Sequence, residues 1–187
     1  MTGGKANVAR AIHDWAQSLV GAIVGITLVF VFIAGEFSVR ESSMENSLLA
    51  YDRLIVSNLF YTPQRGDIVL FAEYGLEDSY DPDTGKYTPF VKRVIGLPND
   101  ELQFVNGKLY INEVLQDESG YLKERKWIWR GGMPETFTVP PGQYFLMGDN
   151  RNASHDSRSV EIGFVDRRSL LGRVLFRILP LNRIGTV

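Results

Sequence analysis

Phe90-Val91-Lys92-Arg93-Val94-Ile95-Gly96 is the stretch on which the fold turns. Apolar, β-branched and aromatic residues dominate it. A period of two places Lys92 on one face with Phe90, Val94 and Gly96, and puts Val91, Arg93 and Ile95 on the other. Runs of the same character lie at 53–58, 67–71, 101–105, 108–112, 136–139, 144–147 and 173–178. Turn chemistry separates them. Asn106-Gly107 sits between two alternating runs and is a strong hairpin signal, Pro140-Pro141-Gly142 divides two more, and Pro180 stops the last. No sustained helical period occurs from Glu36 onward, so the pattern predicts a mainly β, antiparallel domain over 36–187. Two insert-like segments interrupt it, an acidic one at 73–89 and another at 116–134 that carries Trp127 and Trp129. That tryptophan pair fits either a membrane interface, where amphipathic rings are favoured, or a small apolar cluster beneath a long loop.

Ahead of this domain, residues 16–35 read AQSLVGAIVGITLVFVFIAG, without a charge. As a helix, about 20 such residues span about 30 Å, the hydrocarbon thickness of a bilayer. A cleaved secretory signal carries a shorter apolar region, about 7 to 15 residues, ending in small residues of A-x-A type. Here the run is longer and closes on Phe32, Ile33, Ala34 and Gly35, so the expectation is an uncleaved transmembrane signal anchor in the lipid bilayer. Lys5 and Arg10 precede it and only Arg40 follows closely, which orients residues 1–15 toward the cytoplasm and 36–187 outside.

The composition now divides. A mean hydropathy of −0.08 averages an apolar anchor with a polar outer domain, which is mildly acidic once Lys5, Arg10 and Asp14 are set aside. The balance of 20 Lys+Arg against 22 Asp+Glu excludes a strongly basic nucleic-acid binder. Absence of cysteine excludes a disulfide framework, a thiolate nucleophile and a zinc ribbon. With His13 and His155 as the two histidines, no histidine-rich metal centre is expected, and nothing in the chain asks for a cofactor.

Nucleophilic chemistry therefore has few routes. Ser154, His155 and Asp156 spell a triad, but adjacent residues of an extended chain point to opposite sides and cannot line up as nucleophile, base and orienter. No G-x-S-x-G elbow, H-E-x-x-H helix or phosphate-binding glycine loop occurs. A hydrolase would need a base other than histidine. A lysine buried among apolar groups serves, because desolvation lowers its pKa and leaves a neutral amine able to take a hydroxyl proton. Lys92 has that setting and Ser43, in Glu41-Ser42-Ser43-Met44, is a candidate nucleophile; taken singly, the two read as an exposed strand lysine and a polar loop serine.

In combination they resemble something specific. Ser43-Met44 followed by Leu48, then 65–71 (RGDIVLF), 90–100 (FVKRVIGLPND), and Gly148-Asp149-Asn150-Arg151 through Ser154 to Asp156-Ser157-Arg158 resemble, in order, the blocks of the bacterial type I signal peptidases, membrane-anchored Ser/Lys proteases. The resemblance covers nearly the whole chain. It implies an antiparallel β catalytic domain behind one transmembrane helix, with Ser43 as nucleophile and Lys92 as general base. It also implies that Ser154 hydrogen-bonds the lysine amine, that Asp156 and Arg158 pair, and that Asp149 and Arg151 support the site. Val39, Leu48, Phe90 and Val91 match positions lining a shallow apolar cleft for small side chains. The implied substrates are exported preproteins, cut after Ala-x-Ala-type residues. A non-catalytic relative that assembles surface appendages such as pili is the alternative. Glu41 stands where the family usually has a glycine or a serine, Asn46-Ser47 where it has Pro-Thr, and Asn99 where it has glycine. Ser43 follows Gly35 by eight residues, which limits its distance from the anchor to about 26 to 29 Å.

Overall fold

The structure, a computed structural model, describes residues 3–72, 80–81 and 85–187. Two compact units divide the chain, Met1–Gly35 and Glu36–Val187. The first is the helix α1 (Gly3–Ile33). Among the described residues no helix is long and apolar enough to cross a membrane. The side chains of residues 28–34, the later part of the apolar stretch, lie outside the described residues, so the transmembrane expectation for 16–35 rests on sequence.

The second unit is antiparallel β in every pairing described. Its strands are β1 (Ala34–Ser38), β2 (Arg53–Ser57), β3 (Ile68–Phe71), β4 (Tyr80–Asp81), β5 (Lys86–Tyr87), β6 (Phe90–Gly96), β7 (Glu101–Val105), β8 (Lys108–Ile111), β9 (Val114–Leu115), β10 (Thr136–Thr138), β11 (Gln143–Met147), β12 (Val165–Asp166) and β13 (Leu170–Leu179). The larger sheet has the order β1-β2-β13-β3-β6-β11-β12, and a smaller one β10-β7-β8-β9. Each run expected from sequence is a strand, with ends shifted by a few residues at most. The short β9 and β12 were not legible, because two residues carry no periodicity. Of the acidic segment, 73–79 and 82–84 lie outside the described residues, and β4 pairs with β5 as a two-stranded hairpin.

Strand β6 lies inside the larger sheet, between β3 and β11, and is buried along its whole length. Its side chains enter three clusters. Phe90 and Val94 pack with Val69, Phe71 and Leu146, Val91 with Val39, Met44 and Leu48, and Ile95 with Leu102, Phe104 and Phe145. A strand covered on both faces gives its lysine no route to water along either one. The third cluster also takes in Trp127, with Trp129 packed against it and its ring centroid 4.5 Å from that of Phe104. Trp127 belongs to the core and Trp129 is partly buried against it, which is the apolar cluster beneath a long loop.

The β7–β8 hairpin closes at Val105↔Lys108 through Asn106 and Gly107, with φ of 51° and 73°. Both central residues in the left-handed region is what a type I′ turn demands. Asn99 has φ 69°, a conformation asparagine tolerates better than most residues. A Gly107→Val substitution would force a β-branched residue into that region and press its Cβ to 3.4 Å from the Trp127 carbonyl oxygen. The expected loss is about 1 to 3 kcal/mol, read from urea unfolding followed by tryptophan fluorescence.

Candidate active site

Lys92 is fully buried at the middle of β6, opposite Val69 of β3, and its amine lies 2.8 Å from Ser43 Oγ. Ser43 is itself buried, on the tight turn that follows β1, where the Glu45 N–H bonds the Ser42 carbonyl and the Leu48 N–H bonds the Met44 carbonyl. Residues 49 apart in sequence thus form a contact of hydrogen-bonding length. The two candidates read singly as exposed and polar are both enclosed. Burial pushes the Lys92 amine below its ordinary value; Glu41 and Asp156 pull it part of the way back, and Arg158 adds to the lowering.

A lattice of ion pairs surrounds the dyad. Asp156 and Arg158 pair as expected, through two bonds of 2.7 and 2.9 Å, and the Asp156 carboxylate also accepts the Gly148 N–H. Burial alone would raise Asp156, but its bonds to Arg158 and to the Gly148 N–H hold it below the usual carboxylate range. Asp149 and Arg151 support the site through different partners. Arg93 grips Asp149 with bonds of 2.8 and 2.7 Å, while Arg151 forks onto Glu118. Ser47, in place of the family's threonine, donates its hydroxyl to Asp149 and accepts from Arg93. Each buried arginine in this set therefore has a buried carboxylate of its own. Lys92 does not: among the described residues its ion-pair partner is the half-exposed Glu41, 3.6 Å away.

Close packing of backbones fixes where the serine sits. The Asn150 N–H donates to the Ser43 carbonyl at 3.0 Å and the Asn150 side chain to the Ser42 carbonyl. A Cβ on Gly148 would stand 2.4 Å from that Ser43 carbonyl and 2.3 Å from Ser154 Oγ, so only glycine allows this approach. Ser154 Oγ is buried here with no hydrogen-bond partner, and the bond to the lysine amine implied by the resemblance is not made. Of the expected cleft residues, Val39, Leu48 and Val91 pack in one cluster and Phe90 in another, its ring 5.4 Å from the Lys92 amine. All four are buried, and they do not share one open surface.

The segment 116–134 supplies what sequence reasoning missed. Glu118 pairs Arg151, Tyr121 lies 4.4 Å from the Arg93 guanidinium, and Trp127 lies against both Arg151 and Arg158. Burial and the neighbouring Glu118 push the Tyr121 hydroxyl up, so it stays protonated and donates to that carboxylate. A signal existed in the count: Arg93, Arg151 and Arg158 outnumber Asp149 and Asp156, so a third carboxylate was owed from elsewhere in the chain.

The sequence pattern of the family described as "Signal peptidase, peptidase S26" matches residues 12–179. The chain belongs to that family. It is 36% identical over 177 residues to a probable signal peptidase I-2 of Synechocystis, covering 92% of this chain and 75% of that one. It is 29% identical over 189 residues to signal peptidase IB of Staphylococcus aureus, covering 92% of both. A crystal structure of a signal peptidase I from Enterococcus faecalis aligns with 60% of this chain and 97% of its own, at 29% identity and a TM-score of 0.42. Membership makes the chain a peptidase, and nothing in the comparisons favours the assembly-factor reading.

Glu118→Ala would leave Arg151 charged, buried and without its carboxylate. The expected cost is about 3 to 5 kcal/mol of folding stability, checked by chemical denaturation of the full chain in detergent, with Glu118→Gln losing less because it keeps a hydrogen-bond acceptor.

Proposed function

We propose that this peptidase is a membrane-anchored signal peptidase of type I, cleaving exported preproteins after small residues through a Ser43/Lys92 dyad. The observation that carries the reading is the 2.8 Å contact between a fully buried lysine amine and Ser43 Oγ, in a chain of the peptidase S26 family. Neutral Lys92 takes the Ser43 proton as Oγ attacks the scissile carbonyl, and the Ser43 backbone N–H faces the developing oxyanion. The protonated amine then gives its proton to the leaving nitrogen as the peptide bond breaks, leaving an acyl-enzyme on Ser43. Neutral again, Lys92 takes a proton from water, whose oxygen attacks the ester; the bond to Ser43 Oγ breaks, the amine returns its proton to that oxygen, and the second product leaves as the acid. Ser154, Asp156 and Arg158 hold the lysine's surroundings, and Asp149 and Arg151 hold the strand and turn that carry the dyad.

Two features support the finer points. The serine turn packs Met44 and Leu48 into one apolar cluster with Val39 and Val91, so the surroundings of Ser43 on that side suit an apolar substrate residue. The uncharged stretch 16–35, with Lys5 and Arg10 before it, is suited to a single-pass anchor that leaves 1–15 in the cytoplasm and 36–187 outside. Tethered to one bilayer, enzyme and preprotein meet at a raised effective concentration.

The test is cleavage of a preprotein by the full chain in detergent, with the new N-terminus read by mass spectrometry. Wild type is expected to cut once, after a small residue, and Ser43→Ala and Lys92→Ala each to lose at least about 10³-fold in rate with the fold retained. Because the amine must be neutral and burial lowers its pKa, activity falls as pH drops through that lowered value. A rate flat from mildly acidic to alkaline pH, with substrate binding unchanged, would overturn the lysine base.

A further inference from the structure

Glu41 is the residue by which this site departs most from the family pattern, and its carboxylate turns toward the dyad. One oxygen lies 3.6 Å from the Lys92 amine and 3.5 Å from Ser43 Oγ. The side chain is 54% exposed, so it can leave for water without unpacking anything. The other groups near the amine are Ser43, Asp156, Arg158 and the Phe90 ring. Asp156 and Arg158 are spent on each other in a buried bidentate pair, which leaves Glu41, among the described residues, as the ion-pair partner of the lysine.

The proton geometry matters. When the amine is charged it donates to Ser43 Oγ, and the serine O–H is then free to point at Glu41; the hydroxyl proton faces away from the base. Cleavage needs the reverse, a neutral amine that accepts from Ser43. An ionised Glu41 stabilises the first arrangement and opposes the second. It also opposes the negative charge that builds on the scissile oxygen.

We propose that Glu41 is a positioning residue that holds the dyad in a resting arrangement, amine charged and serine proton turned outward, and so sets the pH at which cleavage begins. This rests on Lys92 being the base, and it adds a control that the dyad alone does not have. Coupling across a half-exposed pair is partly screened, so the shift is moderate and weakens with salt.

The experiment compares the full chain with Glu41→Gln and Glu41→Gly, measuring kcat/KM on a preprotein across pH. In both variants the acid limb is expected to move down by about half to one unit, a gain of about three- to tenfold on that limb, with the gain reduced in high salt. In parallel, the Lys92 amine is titrated by NMR of ¹³C-lysine-labelled protein, its signal assigned by loss in Lys92→Ala. Its midpoint should fall by the same amount. If wild type cleaves no preprotein, the peptidase reading of the dyad fails while the lysine titration still decides the coupling. An unmoved acid limb together with an unmoved lysine midpoint overturns the proposal. So does a lower plateau without a shift, which is what a merely structural Glu41 would give.

Discussion

An ammonium group taken out of water must find a counter-charge or surrender its proton, and the arrangement around Lys92 follows from that choice. Removing an ion of this size from water costs several kcal/mol even after relaxation. The arginines nearby meet the same penalty differently, since a guanidinium stays charged at any working pH and must be paired. Arg93, Arg151 and Arg158 are paired with Asp149, Glu118 and Asp156, each through more than one bond. What remains at the centre is one buried amine whose ion-pair partner is the half-exposed Glu41, so burial weakens its hold on the proton and that carboxylate restores part of it.

The same lattice serves position. Ser43 is on a turn, and turns do not hold a nucleophile to a few tenths of an ångström unaided. Asn150 bonds the turn's carbonyls, Gly148 lets the two backbones meet, and Arg93 of β6 bonds Asp149 on the opposing loop. Segment 116–134 then packs its aromatic faces over the guanidinium groups. A segment that looks like an insertion in sequence is part of what holds the ion pairs around Ser43 and Lys92 in place.

The strands were legible because β-branched and aromatic runs bounded by turn residues carry them: β7 and β8 alternate, β6 and β11 are near-continuous buried runs, and Asn106-Gly107 has the turn chemistry its hairpin needs. Ser43 and Lys92 are singled out only by the family blocks, since neither shows its burial alone. That burial depends on strands β3 and β11 flanking β6, a tertiary fact with no local signature. Glu118 lay hidden for a related reason, being recognisable only once three arginines are seen to share one space. The bond from Ser154 to the lysine amine is not made here, because a motif gives position along the chain and leaves the side-chain torsion undetermined.

Two kinds of electrostatics therefore coexist at this site. The buried pairs are shielded from solvent ions, and Asp156 is held ionised well into acid, so they contribute a fixed background across the physiological range. Glu41 and Lys92 form the remaining pair, one member in water and one out of it. Solvent can reach the first and only the first. A change in ionic strength or local pH acts on the exposed carboxylate and passes to the lysine through 3.6 Å of space. A lysine sealed on every side would keep one protonation equilibrium in all conditions; among the described residues, Glu41 is the exposed ion-pair partner through which solvent acts on this one.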